Sequence, residues 1–87
     1  MRSITYDAPG DSSVLHLVER EVPDPRAGEV RVRVHVSGVN PTDWKTRSGM
    51  MSGGRPLTGA GYLGYDAAGV VDEVGEGVTG ISVGDDV

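Results

Sequence analysis

Two stretches of this chain carry residue types at spacings that could do chemistry. Gly59-Ala60-Gly61-Tyr62-Leu63-Gly64 has the Gly-x-Gly-x-x-Gly spacing that lets a backbone turn approach a dinucleotide pyrophosphate. That chemistry needs a strand before the turn and a helix after it. Here a Gly/Pro loop precedes the glycines and a strand pattern follows, so the match is a coincidence of letters. The second stretch is Asn40-Pro41-Thr42-Asp43-Trp44-Lys45. Asn40 can accept a hydrogen bond from a free first-turn N–H, and Pro41 at the first helical position loses nothing. Asp43 then faces the positive end of the helix dipole. Lys45 falls on the same side as Thr42, three residues earlier. Cysteine is absent, which excludes disulfides and thiolate zinc sites in this stretch. His16 and His35 each fall inside a strand pattern and read as surface or hydrogen-bonded histidines rather than ligands.

The elements that must position these residues are short. Val30, Val32, Val34 and Val36 alternate with Arg31, Arg33, His35 and Ser37, which predicts a strand with one apolar and one polar face. Ile4 to Tyr6 and Val14 to Val18 read as two earlier strands, separated by a turn at Ala8-Pro9-Gly10-Asp11. The helix is expected from Pro41 to about Arg47, stopping near Ser48-Gly49. Met50 to Gly64 reads as a Gly-rich loop, and Ala67 to Val74 as a buried strand. Val83 to Val87 reads as a further strand beginning. The pattern totals about six short strands and one brief helix, a mainly β small barrel. A chain that stops on a strand leaves unpaired backbone groups, so the expectation is a domain incomplete at its C-terminus.

Composition narrows the class. The 87 residues are 37% hydrophobic and contain no Phe, with 14 Gly and 5 Pro. That is a thin core to set against a backbone entropy of ~1–2 kcal/mol per residue. The net charge is −5, and the basic residues are scattered rather than striped. Nucleic acid is therefore not an expected partner. No apolar run spans a membrane and Met1 to Tyr6 has no signal-peptide core, so a cytoplasmic location is the default expectation.

Three segments in order resemble the GroES-like catalytic domain of the medium-chain dehydrogenase/reductase superfamily. They are Val32 to Lys45, Leu63-Gly64-Tyr65-Asp66-Ala67-Ala68-Gly69-Val70-Val71, and Val74-Gly75-Glu76-Gly77-Val78 followed by Val83-Gly84-Asp85-Asp86-Val87. The resemblance implies that residues 1–87 are the N-terminal part of that domain. The Rossmann domain that binds NADPH would lie outside this chain. Zinc-dependent members carry a Gly-x-Cys-His-x-Asp segment and a Gly-His-Glu segment. Here Asn40 and Pro41 stand at the first pair, and Tyr65 and Asp66 at the second. One displaced carboxylate does not hold zinc, which wants three or four ligands. The Asn-Pro-Thr-Asp-Trp-Lys form is similar to the zinc-independent quinone oxidoreductase and enoyl reductase branch. That branch implies hydride transfer from NADPH to a quinone or a conjugated enone, both small molecules.

The resemblance also assigns roles. Hydride transfer to an enone builds negative charge on the carbonyl oxygen, so a hydrogen-bond donor is needed there. Lys45 is either that donor or a solvated surface lysine. Tyr65 either donates to substrate or fills the space zinc would leave. Asn40 either meets the nicotinamide ribose or substrate, or only caps the helix. Asp43 either accepts from the Tyr65 hydroxyl or caps the helix. Thr42 would line the substrate pocket. Trp44 either walls that pocket or anchors the helix to the barrel, and Met50 and Tyr62 either edge the pocket or lie in a plain mobile loop, with no metal. The alternative is a stand-alone GroES-like module that binds partners or forms a homo-oligomer without enzymatic activity.

Overall fold

The computed structural model describes residues 1–87. It contains four strands and one α-helix: β1 Arg2–Thr5, β2 His16–Glu19, β3 Val30–Ser37, α1 Pro41–Arg47 and β4 Ala67–Val74. Short 3-10 turns occupy Ser12–Val14 and Met50–Ser52. The fold is mainly β with one short helix, as the sequence implies. The strands form two antiparallel pairs, β1 with β2 and β3 with β4, and neither pair closes into a barrel within these residues. No helix is long and apolar enough to cross a membrane.

The expected strand count of about six falls to four for local reasons. Val14 belongs to a 3-10 turn, because Asp11 caps it: its carboxylate accepts from the Ser13 hydroxyl and from the Ser13 N–H at 2.9 Å. The same two donors, hydroxyl first, hold the Asp11 carboxyl below the ordinary aspartate range. The strand begins only at His16. Val83 to Val87 forms no strand of its own, but it lies along the edge of β4. Val70 bridges Asp86, and Gly69 and Val87 exchange N–H···O bonds of 2.9 and 3.0 Å.

The chain divides into two compact units. The first comprises Met1–Glu21 and Val39–Tyr65, the second Val22–Gly38 and Asp66–Val87. In the first, β1 and β2 pair from Arg2↔Glu19 to Thr5↔His16. Tyr6 is buried, at 4% exposure. It exchanges backbone hydrogen bonds with Gly61, 3.2 Å from the Tyr6 N–H and 2.7 Å to the Tyr6 carbonyl. The Thr5 hydroxyl donates to the Gly61 carbonyl at 2.9 Å. A Cβ on Gly61 would stand 2.6 Å from the Tyr6 ring. The middle glycine of the phosphate-like motif is thus fixed by a tyrosine ring, in agreement with its exclusion as a fingerprint. Gly61→Ala is expected to destabilise the fold by about 1–3 kcal/mol through overpacking. Urea unfolding measures it, and a change within ~0.5 kcal/mol would show that the ring simply moves aside.

In the second unit, β3 and β4 pair from Val30↔Val74 to Ser37↔Ala67 with two register shifts. Arg31 faces Glu73 and Val32 faces Val71, so Asp72 is an extra residue on β4. Val34 faces Gly69 and Val36 faces Ala68, so His35 is an extra residue on β3. Such β-bulges suspend the strict alternation of faces. Asp72 and Glu73 are neighbours in sequence, yet both reach Arg31, at 2.7 Å and 3.0 Å. Asp24 lies 3.5 Å from the same guanidinium. Val71, beside the bulge, is fully buried. The expected apolar face of β3 is only half realised. Val30 and Val32 are half-buried, but Val34 and Val36 are 52% and 66% exposed. Valines stay wet wherever no element covers their side of the strand.

Candidate functional site

Every candidate named from the sequence falls in the first unit. Asn40 caps α1 and forms a reciprocal capping box with Asp43. Glycine at position 49, with φ +86°, ends the helix at the expected place. Thr42 and Lys45 are half-buried on α1, whereas Trp44 is 45% exposed. The Lys45 ammonium lies 5.7 Å from the Trp44 ring centroid, within cation–π range. Tyr65 is 62% exposed. Its hydroxyl is 3.3 Å from the Thr46 hydroxyl, so one donates to the other.

Asp43 is the one buried charged side chain, at 7% exposure. Its Oδ2 accepts from the Asn40 N–H at 2.8 Å, and its Oδ1 accepts from the Gly64 N–H at 3.0 Å. Of the two roles open to Asp43, the structure realises the cap. The Tyr65 hydroxyl goes to Thr46 instead. Burying a carboxylate is tolerable only when its oxygens are hydrogen-bonded, and two backbone donors meet that need.

The structure brings together α1, Gly64 and Tyr65. Other candidates have separate partners. Arg20 stacks over the Tyr62 ring, 4.9 Å from its centroid. Met50 lies in the 3-10 turn after α1 and is 61% exposed. Sequence reasoning missed Thr46, Arg20 and the Asp43–Gly64 tie. Thr46 lay one residue past Lys45 on the same helix, and its spacing of four from Thr42 was the available signal. Nothing in the sequence links Arg20 to Tyr62. A groove of about 300 Å³ lies in the second unit, lined by His35, Ala68, Gly69, Val70, Asp86 and Val87. It is largely apolar and contains none of the candidates, so the donor-bearing residues around α1 are the stronger site.

No group of three His, Cys, Asp or Glu side chains in residues 1–87 is placed to hold a metal ion. Asn40 and Tyr65 stand where the zinc members place ligands, and both Asp43 oxygens are already occupied by N–H donors. The residues present do not fit zinc.

Comparison with known proteins supplies the family. Residues 26–87 match the alcohol dehydrogenase GroES-like domain. The chain is 47% identical over 74 residues to the S-(hydroxymethyl)glutathione dehydrogenase of Komagataella pastoris, covering 84% of this chain and 18% of that protein. It superposes on the Escherichia coli quinone oxidoreductase complexed with NADPH with a TM-score of 0.89 at 35% identity, covering 99% of this chain and 26% of the other. It also superposes on the cobalt- and zinc-bound thermostable alcohol dehydrogenase of Pyrobaculum aerophilum with a TM-score of 0.85 at 42% identity, covering 100% of this chain and 25% of the other. The chain thus spans about a quarter or less of the length of these relatives. Matching strands, the α1 segment and the Gly-rich turn before β4 all run in the order of one domain type: this chain belongs to the alcohol dehydrogenase GroES-like domain family, within the medium-chain dehydrogenase/reductase superfamily.

Proposed function

We propose that this chain is the N-terminal, substrate-facing part of an NADPH-dependent oxidoreductase that reduces quinones or conjugated enones without zinc. Relatives include both a quinone oxidoreductase and a zinc-bound alcohol dehydrogenase. The observation that favours the first is the donor set around α1. An amide and a phenol stand at the ligand positions, and the nearby carboxylate is committed to two backbone N–H groups.

NADPH, when bound, supplies the hydride. This chain's residues have the complementary task of orienting the substrate and holding charge on its oxygen. The Lys45 ammonium and the Tyr65 hydroxyl are the donors for the carbonyl oxygen. The Thr46 hydroxyl can serve as donor or acceptor toward Tyr65, and as donor it leaves the phenol its own proton for the substrate. The Asn40 side-chain amide is suited to the nicotinamide ribose. Thr42, Trp44, Met50 and Tyr62 offer a mixed aromatic and thioether surface for a flat substrate ring. A cytoplasmic location accompanies this reading.

The test uses the purified protein that carries this chain. NADPH loss is followed with a simple quinone, and zinc is measured after dialysis against a weak chelator. The expected result is saturable quinone reduction with zinc far below one per chain. Alcohol oxidation with stoichiometric zinc would place the protein with the metal-dependent dehydrogenases instead. Absence of any redox turnover would favour a binding module.

A further inference from the structure

We infer that Asp43 is the positioning residue of this site, acting on Asn40 through its own backbone N–H and on Tyr65 through the N–H of the preceding residue, Gly64. The inference rests on the proposed oxidoreductase reading for its kinetic consequence, but its geometry stands without it. The Asp43 carboxylate is buried. One oxygen fixes the Asn40 N–H at the start of α1, and the other fixes the N–H of Gly64. Gly64 has φ +113°, a conformation that leaves the loop no side chain with which to hold itself. Its N–H is one residue before Tyr65.

Tyr65 needs such a tie because packing does not supply one. Its side chain is 62% exposed. An exposed ring keeps its orientation only through what grips its two ends. At the far end the hydroxyl meets Thr46, on α1. Just before the near end, the Gly64 N–H meets Asp43, also on α1. One short helix therefore holds the phenol at both ends, and the same carboxylate sets the helix start that presents Asn40. Loss of the Asp43 tie frees the Leu63–Gly64 peptide to rotate, and the phenol swings with it. Displacing a reacting group by about 1 Å can reduce the rate by ~10²-fold.

Asp43→Asn keeps the size of the side chain and replaces one acceptor oxygen with a donor. In the intact oxidoreductase it is expected to lower kcat by about 10–100-fold while leaving KM for NADPH unchanged. The discriminating measurement is a double-mutant cycle with Tyr65→Phe. If Asp43 acts through the phenol, D43N has less than about a twofold effect in the Y65F background. An equal loss in both backgrounds overturns the inference. So does a D43N protein with a lowered Tm and an intact kcat at a temperature where it is folded. Two readouts do not depend on turnover, so a protein that reduces no quinone or enone would sink the functional reading alone. In isotope-labelled protein, D43N is expected to move the Tyr65 ring and Gly64 amide resonances while those of Val71 stay in place. An unmoved Tyr65 ring counts against the role. If D43N does not fold, hydrogen exchange on the unmodified protein decides: the Gly64 amide is expected to be protected, and exchange at the rate of an unstructured amide overturns the clamp.

Discussion

On the proposed reading, Lys45→Ala in the protein that carries this chain is expected to lower kcat by about 10²–10³, equivalent to ~3–4 kcal/mol of transition-state stabilisation. The bound carbonyl is neutral, and its oxygen gains negative charge as hydride arrives. An ammonium beside it therefore interacts more strongly with the transition state than with the ground state, which is the condition for a rate effect. KM is expected to change less than kcat. At rest the half-buried lysine lies over the Trp44 ring. Tyr65→Phe is the comparison, since it removes the hydroxyl and keeps the ring. A silent Lys45→Ala beside a crippled Tyr65→Phe would move the donor role to the phenol. Silence in both would place the polarising group outside this chain.

Gly69→Ala is expected to produce a large loss of stability, about 3 kcal/mol or more. A Cβ there would stand 2.2 Å from the Arg33 carbonyl oxygen and 2.9 Å from the Val34 Cα. Both are backbone atoms, so no side chain can rotate away. Gly69 also exchanges two hydrogen bonds with Val87 on its other side, so the strand is held from both edges. Gly59→Ala is the control. A Cβ at Gly59 meets nothing within 4 Å, and its effect is expected within ~0.5 kcal/mol. Urea midpoints measure both. Equal midpoints would mean that β3 and β4 separate more readily than their pairing implies.

The elements with strong local signals were legible in the sequence. Asn-Pro-Thr-Asp announced α1, and its bounds, Pro41–Arg47, follow from a cap, a proline and a terminal glycine. The apolar run of β4 was equally clear, Ala67–Val74. The first hairpin was less so. Asp11-Ser12-Ser13 is a cap signal, and reading it as turn residues alone placed β2 too early. The bulges were invisible, because an extra residue is defined only against the partner strand. The candidate site was legible residue by residue, but its assembly was not. Asp43 meets Gly64, and Thr46 meets Tyr65, through contacts 21 and 19 residues apart in sequence. No local pattern encodes such separations.

The two bulges of the β3–β4 pair lie on opposite strands, and this has a consequence for insertions and deletions. Pairing at Val30 and Arg31 has the same offset as pairing at Val36 and Ser37, because His35 on one strand cancels Asp72 on the other. Only the stretch from Val32 to Val34 runs in a shifted frame. Deleting either extra residue alone would remove its bulge and leave every other residue opposite its present partner. Deleting both would leave an unbroken ladder with its ends in their present frame. A single deletion at His35 or at Asp72 is therefore expected to be tolerated by itself, whereas a deletion at a paired position of either strand shifts the pairs beyond it.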